Sequence, residues 1–271
     1  MKIIGKRYII PTRATTTKKI NYSQMNKNTT DLNNEVHLPR GISNFKKLIQ
    51  GNYTFVDKTL FIKDIIDNRS DEVIVITRPR RFGKTLNLST LYYFLKYQDE
   101  EESHENLFKD LEISKHKDFC KQHQHQYPVI FISFKDIKQA TYDKAYAEIV
   151  ELIRGLYEKH RYLLEDNLLS ENEKNIFIAL LNETAELSKV NSAIKQLSLY
   201  LERKFGIKPI ILIDEYDTPI QEAYLRGYYE DMIDLMRSIF GKTLKDNDYL
   251  RKAIVTGITR VAQESLSLIH I

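Results

Sequence analysis

The sequence predicts an α/β fold of three layers, with a mainly parallel sheet covered by helices on both faces. Two observations carry that expectation. Four compact apolar segments, Glu72–Thr77, Pro128–Phe134, Lys208–Asp214 and Lys252–Gly257, have the length and near-continuous hydrophobicity of buried strands. Long stretches with helical spacing of apolar residues lie between them, the alternation that builds a parallel sheet. At 271 residues, 42% hydrophobic and 29% charged, the chain has the composition of a soluble globular protein. Its length suits one large α/β domain and a tail. No run reaches the roughly 18 uncharged apolar residues of a membrane-spanning helix, so no membrane partner is expected.

Residues 1–37 are expected to form a disordered basic extension, and residues 38–271 the folded domain. The first 30 residues carry seven basic groups (Lys2, Lys6, Arg7, Arg13, Lys18, Lys19, Lys27) and no acid. The rest of the chain then has 34 of the 41 basic residues against all 37 acids, so the net charge of +4 belongs to the tail. A body near neutrality gives no electrostatic footprint for nucleic acid. An organelle-targeting peptide is the alternative for the tail, though Pro11 interrupts its short apolar start. The single cysteine, Cys120, excludes an internal disulfide framework and fits a reducing, cytoplasmic setting.

Along the domain, Phe45, Leu48 and Ile49 mark a short helix face, and Phe55-Val56 a small extended piece. Thr59–Ile66 is an amphipathic helix that stops at the polar turn Asn68-Arg69-Ser70. Four more helices are expected. They are Thr85–Tyr97 (Leu86, Leu88, Leu91, Phe94, Leu95), Tyr142–Tyr157 (Tyr146, Ile149, Val150, Ile153), Ser188–Phe205 (Val190, Ile194, Leu197, Leu201) and Glu222–Phe240 (Met232, Leu235, Met236, Ile239). No internal repeat is present.

The segment with the clearest chemistry is Arg78-Pro79-Arg80-Arg81-Phe82-Gly83-Lys84-Thr85, set between a strand and a helix. It follows the phosphate-loop pattern G-x-x-x-x-G-K-[ST], except that Arg78 stands at the first glycine. Gly83 lets the backbone approach phosphate oxygens, and the first amides of the helix point at the anion. Lys84 supplies an ammonium for the β- and γ-phosphates, and the Thr85 hydroxyl can ligate magnesium. A basic turn capping a helix, with Lys84 merely solvated, is the lesser alternative for the loop alone.

A second motif changes that balance. Lys208–Asp217 runs through four apolar residues into Asp214-Glu215-Tyr216-Asp217. A buried strand of this kind delivers Asp214 to a nucleotide's magnesium, and Glu215 to a water attacking the γ-phosphate. An exposed acidic turn is the alternative for this segment in isolation. Thr256, ending the fourth strand, is a candidate contact for the γ-phosphate. Arg260 could touch phosphate or a neighbouring subunit, although a surface arginine is the simpler reading.

With these residues in view, the chain resembles the AAA-ATPase-like family, whose members often carry a C-terminal nuclease-like domain. The resemblance runs from about Leu38 to Glu264. It is carried by Tyr53–Thr59, Thr77–Thr85, Pro128–Asp136, Ile211–Ile220 and Thr256–Arg260, with Arg-Pro-Arg-Arg-Phe-Gly-Lys-Thr and Leu-Ile-Asp-Glu-Tyr-Asp-Thr-Pro-Ile as its most specific elements. It implies an ASCE-type P-loop NTPase with strand order 5-1-4-3-2, and an arginine at the first loop position. The four strands fill positions 1 to 4. No candidate for strand 5 follows, so the domain is expected to be truncated at its C-terminus. The resemblance also implies that Asp57 and Lys58 border the adenine site.

Weaker signals have simpler explanations. Cys120, His123 and His125, with His116 nearby, come from one local polar segment, and a solvated helix end explains them better than a metal site. The pairs Tyr92-Tyr93 and Tyr228-Tyr229 fit helix packing better than base stacking.

The expected function is therefore ATP binding with Mg2+-dependent hydrolysis. Lys84 and Glu215 are the catalytic residues, Arg78–Thr85 and Thr256 the nucleotide contacts, and Thr85 and Asp214 the metal ligands. An ATP-binding switch or interaction module with little turnover is the alternative. So is the ATPase part of a nucleic-acid-processing protein, which rests on family analogy alone. A homo-oligomer is a possible partner arrangement.

Overall fold

Four strands form one all-parallel sheet: β1 (Val73–Thr77), β2 (Val129–Ser133), β3 (Ile210–Asp214) and β4 (Lys252–Gly257), in the order β1-β4-β3-β2. This arrangement comes from a computed structural model that describes residues 38–97, 105–165, 167–245 and 247–258. The expectations for residues 1–37 and for Arg260 lie outside the described residues. The observed order matches positions 1-4-3-2 of the expected sheet. Burial follows it: β3 and β4 are buried at every position, while β1 is only partly buried throughout. Among the described residues, β4 is the only neighbour of β1.

Side-chain alternation along the strands divides the interior into two cores. On one face, Ile74, Ile76, Val129, Ile210, Leu212 and Ile254 pack against the first four helices. Those are α1 (Phe45–Gln50), α2 (Leu60–Asp67), α3 (Lys84–Leu95) and α4 (Lys117–His123). On the other, Ile130, Ile132, Ile211, Ile213 and Val255 meet α5 (Tyr142–Glu158), α6 (Glu171–Leu181), α7 (Leu187–Phe205), α8 (Thr218–Arg226) and α9 (Tyr229–Phe240). The result is the three-layer α/β fold that the sequence predicts, consistent with a P-loop NTPase.

Several local expectations change. The single helix expected over Glu222–Phe240 is two helices, α8 and α9. Gly227, at φ 84°, ends α8 in a left-handed cap whose amide bonds to the Ala223 carbonyl. Helix α6 escapes the apolar pattern but carries a capping box, with Ser170 and Glu173 bonding each other's backbone amides. Phe55-Val56 joins no strand; the Phe55 ring instead packs edge-on against Phe45 at 5.7 Å. Helix α4 does end at His123, but the ring is buried rather than solvated, with its Nδ1 2.6 Å from the Tyr127 hydroxyl. Among the described residues no cluster of three or more histidine, cysteine, aspartate or glutamate side chains could hold a metal ion, and no helix is long and apolar enough to cross a membrane.

One buried cation fixes the loop strand. Lys252, at the start of β4, donates from its ammonium to the carbonyls of Asn68 (2.6 Å) and Asp71 (2.7 Å). The turn before β1 is thereby held to the central strand, which sets the height at which β1 delivers its loop.

Candidate functional site

The carboxyl ends of β1, β4 and β3 meet the first turn of α3, the place where parallel α/β sheets bind ligands. The chain leaves β1 at Arg78, whose amide bonds to the Gly257 carbonyl at 3.2 Å, so the loop begins anchored to the end of β4. It then turns through Arg81 (φ 68°) and Gly83 (φ 75°) into α3. Arg80, Arg81 and Phe82 point outward, Phe82 being 63% exposed, and the exposed Pro79 precedes them. Arg78 turns its guanidinium back on the Thr77 carbonyl at 3.3 Å.

Lys84 behaves differently from its neighbours. Its side chain folds back under the loop and donates to the carbonyls of Arg78 (2.8 Å) and Pro79 (3.0 Å). It is buried, and its partners are neutral oxygens rather than a carboxylate.

Asp214 is fully buried at the end of β3. The Thr85 hydroxyl donates to its Oδ2 at 2.7 Å and the Thr256 hydroxyl to its Oδ1 at 2.5 Å. Residues 85, 214 and 256, distant in sequence, thus form one network. Because each threonine spends its hydrogen on the carboxylate, its oxygen lone pairs remain free to ligate a cation. Among the described residues Asp214 and Lys84 enter no ion pair.

Glu215 adopts a left-handed backbone, φ 51°, as the chain turns off the sheet. Its carboxylate is partly buried and accepts from the Thr218 hydroxyl at 3.3 Å, outside the Thr85–Asp214–Thr256 network. Asp57 belongs to another region: its carboxylate accepts from Thr59 and from the Glu112 amide, joining α2 to the segment before α4.

Two features of the site were not foreseen in the sequence. The buried carboxylate of Asp217 accepts from the Ile258 amide (2.9 Å) and the Gln221 side chain (2.6 Å), tying the end of β4 to α8. Gly257 is required by that approach: a Cβ there would stand 2.5 Å from the Tyr216 ring and 2.7 Å from Asp217 Oδ1. The only signals available were an acid three residues after Asp214 and a glycine ending an apolar run, and neither names its partner.

Comparison with known proteins identifies the family of the chain. The model of a family described as Predicted AAA-ATPase matches residues 39–267. The chain belongs to the AAA-ATPase-like family. This family member is also 28% identical over 232 residues to an uncharacterized protein in the vnfD 5'region of Azotobacter chroococcum mcd 1. That alignment takes in 84% of the chain but 38% of the relative's length. No solved structure matches this AAA-ATPase-like chain with significance.

Proposed function

We propose that the chain binds ATP with magnesium and hydrolyses it. One observation carries the reading: two opposite charges, Lys84 and Asp214, are buried at the same sheet end, and among the described residues neither is paired with a charge. Buried charges without counter-charges are costly unless a ligand completes them. Lys84 calls for an anion, and Asp214 for a cation. The groups around Asp214 are a carboxylate and two hydroxyls, the oxygen donors that suit a hard ion such as magnesium. A triphosphate carrying that ion answers both demands at once.

In this mechanism Lys84 exchanges the Arg78 and Pro79 carbonyls for phosphate oxygens, while the amides at the start of α3 hold the anion. The Arg78–Phe82 backbone wraps the phosphates, with Arg80 and Arg81 free to reach them from outside. Thr85 and Asp214 are the residues that would hold magnesium, and Thr256 fixes the orientation of the carboxylate. Bound there, the ion neutralises charge that builds on the phosphates during transfer. Glu215 accepts the proton of the attacking water, once its carboxylate leaves Thr218.

Labelled-ATP retention and steady-state phosphate release test the reading. Lys84→Ala is expected to weaken ATP binding about 10- to 100-fold, the scale of a charge-assisted bond to phosphate. Glu215→Gln is expected to keep binding and lose about 100-fold or more in turnover. Equal ATP retention by wild type and Lys84→Ala would end the nucleotide assignment. Unchanged turnover in Glu215→Gln would leave a nucleotide-binding switch as the better description.

A further inference from the structure

Ser133 ends β2 and is paired in register with Asp214, the last residue of β3. The two cores fix the direction of its side chain. Ile130 and Ile132 belong to the face covered by α5–α9, whereas Val129 and Phe131 belong to the α3 face, where the Phe131 ring meets Tyr92 at 5.8 Å. By alternation Ser133 shares the α3 face with Asp214. Thr256 lies on that face too, two residues beyond Ile254. Three adjacent strands therefore end in a polar row, Thr256–Asp214–Ser133, with Thr85 opposite on α3.

Three of these groups satisfy one another, and the fourth does not. Thr85 and Thr256 both donate to Asp214. Ser133 Oγ is closed off from solvent and, among the described residues, has no hydrogen-bond partner. Buried hydroxyls nearly always find one, so an orphan beside a buried carboxylate calls for a missing third party. Adjacent strands lie about 4.8 Å apart, a separation that one interposed oxygen spans with two hydrogen bonds. Magnesium gives up its waters reluctantly and keeps several when bound. A serine hydroxyl can accept from such a water and pass its own hydrogen onward.

We propose that Ser133 is a third hydroxyl of the cation site, holding a water of the magnesium shell beside Asp214. The proposal rests on Thr85 and Asp214 being the cation ligands. Ser133 is a positioning residue in this role, because it acts on the ion through the water. A serine buried there for packing alone would behave oppositely: deleting an orphan hydroxyl relieves a cost and touches no ion.

The test uses Mn2+ as a spin probe, titrated into the full chain with a non-hydrolysable ATP analogue, free Mn2+ being read by paramagnetic resonance. Ser133→Ala is expected to raise the Mn2+ dissociation constant about tenfold, the usual scale for a group behind a metal's ligands. Its thermal midpoint without nucleotide or metal is expected to match or exceed that of wild type. Ser133→Thr, which keeps a hydroxyl, is expected to restore most of the affinity. Equal Mn2+ affinity in wild type and Ser133→Ala overturns the role of Ser133 while leaving the cation site standing. A wild type that binds Mn2+ no better than Asp214→Asn overturns the cation site, and this proposal with it.

Discussion

Glu215 was legible in the sequence as an acid after a buried strand, but its backbone was not. A left-handed φ of 51° costs a non-glycine residue about 1 kcal/mol, and no residue pattern announces it. The cause is local. Within three residues the chain must bond back to Thr256 through the Tyr216 amide and start α8 through the Thr218 amide, which donates to the Glu215 carbonyl. Such strain persists where the surrounding bonds over-determine the backbone, as they do here. Glu215→Gly is expected to raise the unfolding free energy by about 1 kcal/mol in urea titration; a loss of stability would show that the backbone is at ease. His123 makes a second prediction. Burial, and then the Arg251 cation, lower its pKa from the ordinary value, with Lys63 adding to the effect and Asp67 opposing it. The unfolded chain therefore takes up a proton that the folded ring resists. Its contribution is complete above about pH 6.5 and is lost as pH falls toward the lowered value. His123→Gln is expected to flatten the decline in urea midpoint between pH 7.5 and 5.5. A decline as steep as that of wild type would count against the assignment.

At the scale of elements, the strands were the easiest to see and the helix ends the hardest. Ile210–Asp214 and Lys252–Gly257 are buried on both faces and Val73–Thr77 partly so, and continuous apolar runs mark such strands without help from tertiary context. Helix α6 was missed because its apolar residues are bunched in one run, Ile176–Leu181, instead of recurring at helical spacing; Phe177, Leu180 and Leu181 are the buried ones. Its start was nevertheless written in Ser170-Glu171-Asn172-Glu173. That capping box does more than begin a helix, since Glu173 also accepts from Arg203 of α7 at 2.9 Å. Ser170→Ala is expected to cost about 1 kcal/mol in denaturant titration. A change near zero would mean that α7 alone holds the end of α6. The break between α8 and α9 shows the converse error. Apolar spacing runs on through Gly227, so periodicity alone joined two helices that a left-handed glycine separates.

For the molecule as a whole, the fold class was legible in the alternation of apolar strands with helices, and the strand order in what the family resemblance implied. The bonds that finish the site were not. Thr85, Asp214 and Thr256 are each visible as candidates, yet their shared carboxylate appears only once β4 is inserted between β1 and β3. The orphan Ser133 hydroxyl could not be foreseen at all, since it depends on strand register and on what fails to touch it. That insertion also has a bearing on how the protein is made. Val73 pairs with Ala253, a partner that a ribosome adds 180 residues later. Pairings so distant along the chain form slowly and late. The Arg78–Thr85 loop therefore emerges from the ribosome long before the strand that anchors it, and during synthesis β1 must wait with its apolar edge unclaimed. A segment translated early is thus among the last to be organised, and that interval is when the nascent chain is most open to aggregation.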